Sequence, residues 1–191
     1  AKAFDQPFAD SSAIPTLLLN EFARQHVVVA LGGDGGDEAF AGYDRYRAAP
    51  TLQRLNPFLS AAAVLRQPLQ RHGVKTGNRR LTRIARELQG QPSLAARYAS
   101  IMTLTDSDQR RTLWTDEALA ALTEDPDAVF LSQWARADAP NAVERMVTTD
   151  LLTYLPGDLL VKADIASMAN SLEVRSPLLD RDVIDVAAQV P

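Results

Sequence analysis

The sequence predicts an α/β fold that is predominantly helical, with one or few parallel strands. Three observations carry this. Val27 to Leu31 read VVVAL, a short β-branched run with no polar break, which suits a strand buried on both faces, as parallel strands are. A glycine-rich turn, GGDGGDE, follows at once and feeds a helix-forming stretch. Beyond Tyr46 alanine, leucine and arginine dominate, and no further clear strand is apparent.

Ser11 and Ser12 stand where a helix cap belongs, with Pro15 in the first turn and Ile14, Leu17, Leu18 and Phe22 at helical spacing, which predicts a helix over about 12–25. DEAFAGYDRY is expected to be helical after the glycine turn. Pro50, Pro57, Pro68 and Pro92 should then cut the chain into short helical pieces. RRLTRIAREL, residues 79–88, puts Leu81, Ile84, Ala85 and Leu88 on one face, the pattern of an amphipathic surface helix with a solvated basic side. TDSDQRRTLW, TDEALAAL and DPDAVFLSQWA read as capped helices. PNAVERMVTTDLLTYLPGDLL reads as a long helix ended by Pro156 and Gly157, and the last block as two helices around a Ser-Pro turn, with Asp180 capping the second.

The 191 residues, 46% hydrophobic, suffice for one packed domain or a domain with an appendage. A net charge of −4 argues against nucleic acid or an acidic membrane as partner. The absence of cysteine excludes disulfides, thiolate metal sites and a cysteine nucleophile on this chain. No run of apolar residues is long enough to span a bilayer and the first residues lack a signal-peptide pattern, so a cytoplasmic location is expected.

Four glycines in Gly32–Asp37 give up chain entropy, about 0.5–1 kcal/mol each relative to alanine, so a tight turn or a ligand should compensate. The string also fits one Ca²⁺-binding nonapeptide repeat, but such repeats work only stacked, and this is a single copy. It lies one insertion, Ala39, away from the GGDEF signature of diguanylate cyclases. On physical grounds, bare backbone amides at the carboxyl end of a buried strand suit the phosphates of a nucleotide. Asp34 and Asp37 beside such phosphates would need Mg²⁺ between the charges. An Asp-rich turn ahead of an acidic helix start accounts for Asp37 and Glu38 equally well, but less readily for four glycines.

LGGDGGDEAFAGYDRY resembles the S-G-[DE]-G-[GS]-D-E-x-F-x-G-Y segment of asparagine synthetases. FDQPFADSSAIPT is similar to the D-x-P-x-x-[DP]-[PS]-S-x-x-P stretch just before it, and DLLVKADIASMANSLEVRSPLLD to their L-x-K-x-D-x-x-[ST]-M-x-x-S-x-E-x-R-x-P-x-L-D block. The resemblance covers nearly the whole chain. It implies an adenine nucleotide alpha-hydrolase-like (ATP pyrophosphatase) fold, truncated here: a partial synthetase domain over 1–191, with 1–47 in the nucleotide-binding region and 48–191 helical. It further implies an ATP- and Mg²⁺-dependent ligase that adenylates the side-chain carboxylate of aspartate, releases pyrophosphate, and passes ammonia from glutamine to give asparagine.

Carried over by position, Gly32, Gly33, Gly35 and Gly36 would bind ATP, Asp34 and Asp37 would hold the metal and serve catalysis, Glu38 would face the aspartate, and Lys162 would neutralise phosphate charge. Gly32 stands where the family commonly has serine, and Ile165 where members often have lysine or arginine. Glu173, Arg175 and Asp180 are expected to hold the final turn through ion pairs and capping, and His26 and His72 to be incidental. The superfamily's Ser-Gly-Gly-x-Asp-Ser phosphate loop and the amino-terminal glutaminase domain do not occur in these residues, so the chain is expected to be the later part of a larger enzyme, inactive alone, whose subunits could pair as a homodimer. Two alternatives are a related enzyme that adenylates another carboxylate, closing a ring or forming an amide, and a helical interaction domain without catalysis.

Overall fold

The computed structural model describes residues 3–61, 68, 71–72, 75, 93–105, 107–122 and 125–190. The amphipathic 79–88 segment and Pro92 lie outside the described residues. The chain forms two compact units, one of residues 1–46 with 139–191, the other of 47–138.

In the first unit, α1 (Ala13–Arg24) leads into β1 (Val29–Leu31), close to the expected helix and strand. β1 pairs in parallel with β2 (Glu173–Arg175), in the register Val29 to Glu173, Ala30 to Val174 and Leu31 to Arg175. β2 was not legible: LEVRS mixes charged and apolar residues over three paired positions, too few to show a period. β1 is also not buried on both faces, since Val29 is 38% and Leu31 74% exposed. A sheet of two strands, the only one among the described residues, leaves no layer to cover both faces of either.

After the glycine turn come α2 (Gly36–Ala39), the first residues of α3 (Asp44–Ala61, which passes into the second unit after Tyr46), α8 (Ala142–Leu152), a π turn (Leu155–Leu159), α9 (Leu160–Met168), the strand β2, a 3₁₀ turn (Pro177–Leu179) and α10 (Arg181–Ala187); α4 to α7 belong to the second unit. DEAFAGYDRY is therefore not one helix. Ala41 adopts a left-handed φ of 53°, which breaks the helical path between α2 and α3. α3 runs through Pro50 and Pro57, against expectation. Both prolines are exposed, so neither ring disturbs packing against another element, and the cost falls on the helix's own backbone.

Pro156 and Gly157 do not end the helix either: α8 already stops at Leu152, where Thr153 leaves helical geometry with φ −128° and ψ −69°, and helical turns resume across the proline and glycine. The chain widens into the π turn, in which the Leu160 N–H donates to the Leu155 carbonyl, and continues as α9. Asn141 caps α8 by accepting from the Glu144 N–H at 3.0 Å, and Asp180 caps α10 by accepting from Asp182 at 2.9 Å. The core of this unit gathers Tyr46, Met146, Thr149, Asp150, Leu155, Ala166 and Leu172, each at most 5% exposed. Ala166, fully buried on α9, lets that helix lie close to α1.

The second unit holds α4 (Leu94–Met102), α5 (Ser107–Leu113), α6 (Asp116–Ala120) and α7 (Ala128–Arg136). Ser93 and Thr115 cap α4 and α6 with their hydroxyls. Tyr98 is completely buried between Phe130 and Trp134, with ring centroids 5.4 and 5.7 Å away. Arg110 ties α5 to the loop before α7 through Asp127 at 3.3 Å and to the loop before α5 through the Thr105 carbonyl at 2.6 Å.

Candidate functional site at the carboxyl ends of the parallel strands

Because β1 and β2 run parallel, the segments that follow them emerge side by side. Gly32 extends the ladder one step, its N–H donating to the Arg175 carbonyl at 2.8 Å. Ligands of open α/β sheets bind at this end of the strands. A groove of about 470 Å³ lined by Arg24 to Val29 lies at the opposite, entering end of β1. It is the wrong end for that role.

The four glycines of the loop divide by cause. Gly35 has a φ of +91°, and a Cβ there would stand 2.0 Å from Leu179 Cδ2; at Gly36 it would stand 2.9 Å from Leu178 Cδ1. These two glycines admit the 3₁₀ turn against the loop, so their lack of side chains has a packing explanation. Gly33 has no heavy atom within 4 Å of where its Cβ would be. Packing does not require a glycine there, and an incoming group could reach its backbone. At Gly32 the added atom would lie 3.1 Å from Asp34 Oδ2 and 3.2 Å from Val174 Cγ1, so a serine there would need those neighbours to yield slightly.

The loop carboxylates have different surroundings. Asp34 folds back over Gly32. Asp37 lies against Gly42, where a Cβ would fall 2.0 Å from its Oδ1, and its carbonyl accepts from the Gly42 N–H at 2.9 Å. Glu38 is 1% exposed and accepts from the Tyr43 hydroxyl at 2.5 Å. Burial, and the Glu38 carboxylate beside it, push the Tyr43 phenol well above its ordinary value.

Tyr43 opens a cluster that the sequence reading did not single out. The Arg45 guanidinium lies 3.7 Å from the Tyr43 ring centroid and 5.1 Å from those of Tyr46 and Tyr154. It pairs at 2.7 Å with Asp150, whose side chain is fully buried and also accepts from the Tyr46 hydroxyl at 2.6 Å. The signal was GYDRY, an arginine between tyrosines three positions apart at the start of α3.

Tyr154 continues this wall toward Lys162 on α9. The Lys162 ammonium hydrogen-bonds Asp10 Oδ2 at 2.6 Å and Ser12 Oγ at 2.8 Å, rather than Asp34 or Asp37. Burial raises the Asp10 carboxyl, but hydrogen bonds from Lys162 and from the Ser12 backbone and hydroxyl outweigh it, so its net position is below the usual 3.8. Asp158, in the π turn, is raised by burial and by Asp10, with Lys162 opposing. Tyr154 is raised by burial and by Asp158.

Ser12 thus sits at the start of α1 without capping it through its side chain, because Asp10 and Lys162 engage its hydroxyl. Glu173 and Arg175 form an ion pair at 2.7 Å on β2, as expected. His26 packs edge-on against Phe22, 4.9 Å between centroids. Among the described residues, no three His, Cys, Asp or Glu side chains converge to hold a metal ion, so a cation at Asp34 and Asp37 would take its other ligands from phosphate and water, which is how Mg²⁺ is commonly held.

The Asparagine synthase family model matches residues 1–191. The chain belongs to the asparagine synthase family. Over 190 residues it is 32% identical to asparagine synthetase [glutamine-hydrolyzing] 1 of Bacillus subtilis, covering 98% of this chain and 29% of that protein. It is 34% identical over 200 residues to a putative asparagine synthetase [glutamine-hydrolyzing] of Mycobacterium bovis, covering 98% and 28%. A 40-residue stretch is 55% identical to putative asparagine synthetase [glutamine-hydrolyzing] 2 of Methanocaldococcus jannaschii, covering 21% and 8%. The chain therefore spans less than a third of the length of these curated relatives. No solved structure matches it. A mostly helical α/β architecture with a small parallel sheet is what a truncated asparagine synthase domain would leave.

Proposed function

We propose that this chain is part of a glutamine-hydrolysing asparagine synthetase and carries one side of its ATP site. The observation behind the reading is Gly33, a glycine with open space around it at the carboxyl end of a parallel strand, in a chain matched from end to end by the family. The aspartate carboxylate is a poor electrophile because its oxygen leaves badly. Its oxygen attacks the α-phosphorus of ATP, the bond to pyrophosphate breaks, and the resulting acyl-adenylate gives ammonia a good leaving group, AMP. Mg²⁺ would disperse phosphate charge and lower the barrier to pyrophosphate departure.

The chain's own part is to place the nucleotide. The open backbone at Gly33 receives it without a side chain in the way, with Gly32 beside it in the ladder to Arg175. Asp34 and Asp37 would hold the cation, and Lys162 would offset phosphate charge as a compact point charge held in place by Asp10 and Ser12. Glu38, buried on Tyr43, would support the aspartate end of the site. Gly35 and Gly36 would contribute backbone only, since Leu178 and Leu179 already fill the space beside them.

ATP/pyrophosphate exchange in the presence of aspartate tests this. The full-length protein is expected to exchange and this chain alone is not; exchange by the chain alone contradicts the reading. Asp37→Asn in the full-length protein should abolish exchange while leaving Tm within a few degrees. Activity retained together with a large loss of stability would make Asp37 architectural. Ile165, at a position often basic in the family, favours one second reading, an amidoligase or cyclase that adenylates a different acid. A panel of acids in which aspartate shows no preference would select it.

A further inference from the structure

Lys162 is not a free lysine waiting for phosphate. It is one corner of a closed triangle: Lys162 Nζ to Asp10 Oδ2 2.6 Å, Lys162 Nζ to Ser12 Oγ 2.8 Å, and Ser12 Oγ to Asp10 Oδ2 2.8 Å. The second carboxylate oxygen, Asp10 Oδ1, accepts from the Ser12 N–H at 2.7 Å and so fixes the carboxylate itself. The lysine and Asp10 side chains are only 12% and 17% exposed, so solvent does little to loosen the arrangement. An ammonium has three N–H donors. Asp10 and Ser12 occupy two, which leaves one with its direction set.

We propose that Asp10 and Ser12 are positioning residues for Lys162, holding its ammonium with a single N–H directed for the reacting phosphates. This rests on the ATP-site reading above. A lysine side chain has four rotatable bonds, and fixing it in advance removes an ordering cost from each turnover. Tyr154 is near enough to feel the charges of Asp158, Arg45, Lys162 and Asp10, and its ring lies 6.2 Å from that of Tyr43, whose hydroxyl donates to the Glu38 carboxylate. A plain fastening of α1 to α9 would use the same contacts. The two roles differ in what they do to turnover.

The test is aspartate-dependent ATP/pyrophosphate exchange by the full-length protein, at a temperature where circular dichroism shows every variant folded. Asp10→Asn retains an acceptor and loses the charge; kcat should fall ~10-fold or more with KM for ATP changing less than ~3-fold. Ser12→Ala should lower kcat ~3-fold or more in the same way. Asp10→Glu should recover part of the loss. Adding Asp10→Asn to Lys162→Met should cost nothing further in kcat, because both act through one ammonium.

Asp10→Asn and Ser12→Ala with wild-type kcat, their only effect a lower Tm, would overturn the proposal and leave a fastening. So would losses from Asp10→Asn and Lys162→Met that multiply. Exchange absent from the wild-type protein overturns the ATP-site reading, and this proposal with it; exchange present but unaffected by Lys162→Met overturns this proposal alone.

Discussion

Gly33 and Gly35 are the same residue type two positions apart, and they should respond oppositely to one methyl group. Gly35→Ala puts a Cβ 2.0 Å from Leu179 in a left-handed backbone, so it should lower unfolding stability by about 2–4 kcal/mol in urea denaturation. Gly33→Ala meets nothing within 4 Å and should change stability by less than about 1 kcal/mol, while sharply weakening exchange in the full-length protein. Asp10 carries a pH signature. Its folded position lies below its unfolded one, so its contribution to stability is fully present above the ordinary carboxylate range. It is lost as pH falls through the folded value. Denaturation midpoints for wild type and Asp10→Asn measured from pH 7 down to pH 3 should therefore differ most at neutral pH, by about 1–2 kcal/mol, and converge in acid.

Elements joined in ways that residue types alone do not dictate. The Pro-Gly pair after α8 looked like a terminus, because proline lacks the N–H that a further turn needs. The π turn accommodates it, with Leu160 N–H reaching back to Leu155, and the helical path goes on to deliver Lys162. Such wide turns frequently occur at functional sites. The packing of α9 on α1 depends on a side chain no larger than a methyl. Ala166→Leu, at a fully buried position, should cost about 1–3 kcal/mol by overpacking and should displace Lys162 from Asp10. Loss of stability in thermal denaturation together with loss of exchange checks both parts.

At the scale of the whole chain, the first unit leaves much apolar surface uncovered. Ile14, Leu18, Leu19 and Phe22 of α1 are 58–70% exposed, and Val28, just before β1, and Leu31, at its end, are more than 60% exposed. Contiguous apolar surface of this kind drives association in water. The chain by itself should therefore show a concentration-dependent sedimentation coefficient. Leu18→Glu with Phe22→Glu should remove that dependence and alter stability by about 0.5 kcal/mol or less per site. A concentration-independent coefficient for the unaltered chain would contradict this. Among the described residues, no helix is long and apolar enough to cross a membrane.

Local chemistry determined what the sequence could show: α1 from its apolar spacing, β1 from an unbroken β-branched run, the cap at Asp180 from a short polar side chain, and the loop glycines from their density. Family membership followed from three motifs in order. The tertiary structure decided the rest, because those features depend on which distant segments meet. β2 becomes a strand only because β1 offers it a ladder. Gly35 and Gly36 acquire a packing role only because Leu178 and Leu179 arrive from more than 140 positions later. Lys162 meets Asp10 and Ser12 across about 150 residues of intervening chain, and no spacing rule spans that distance.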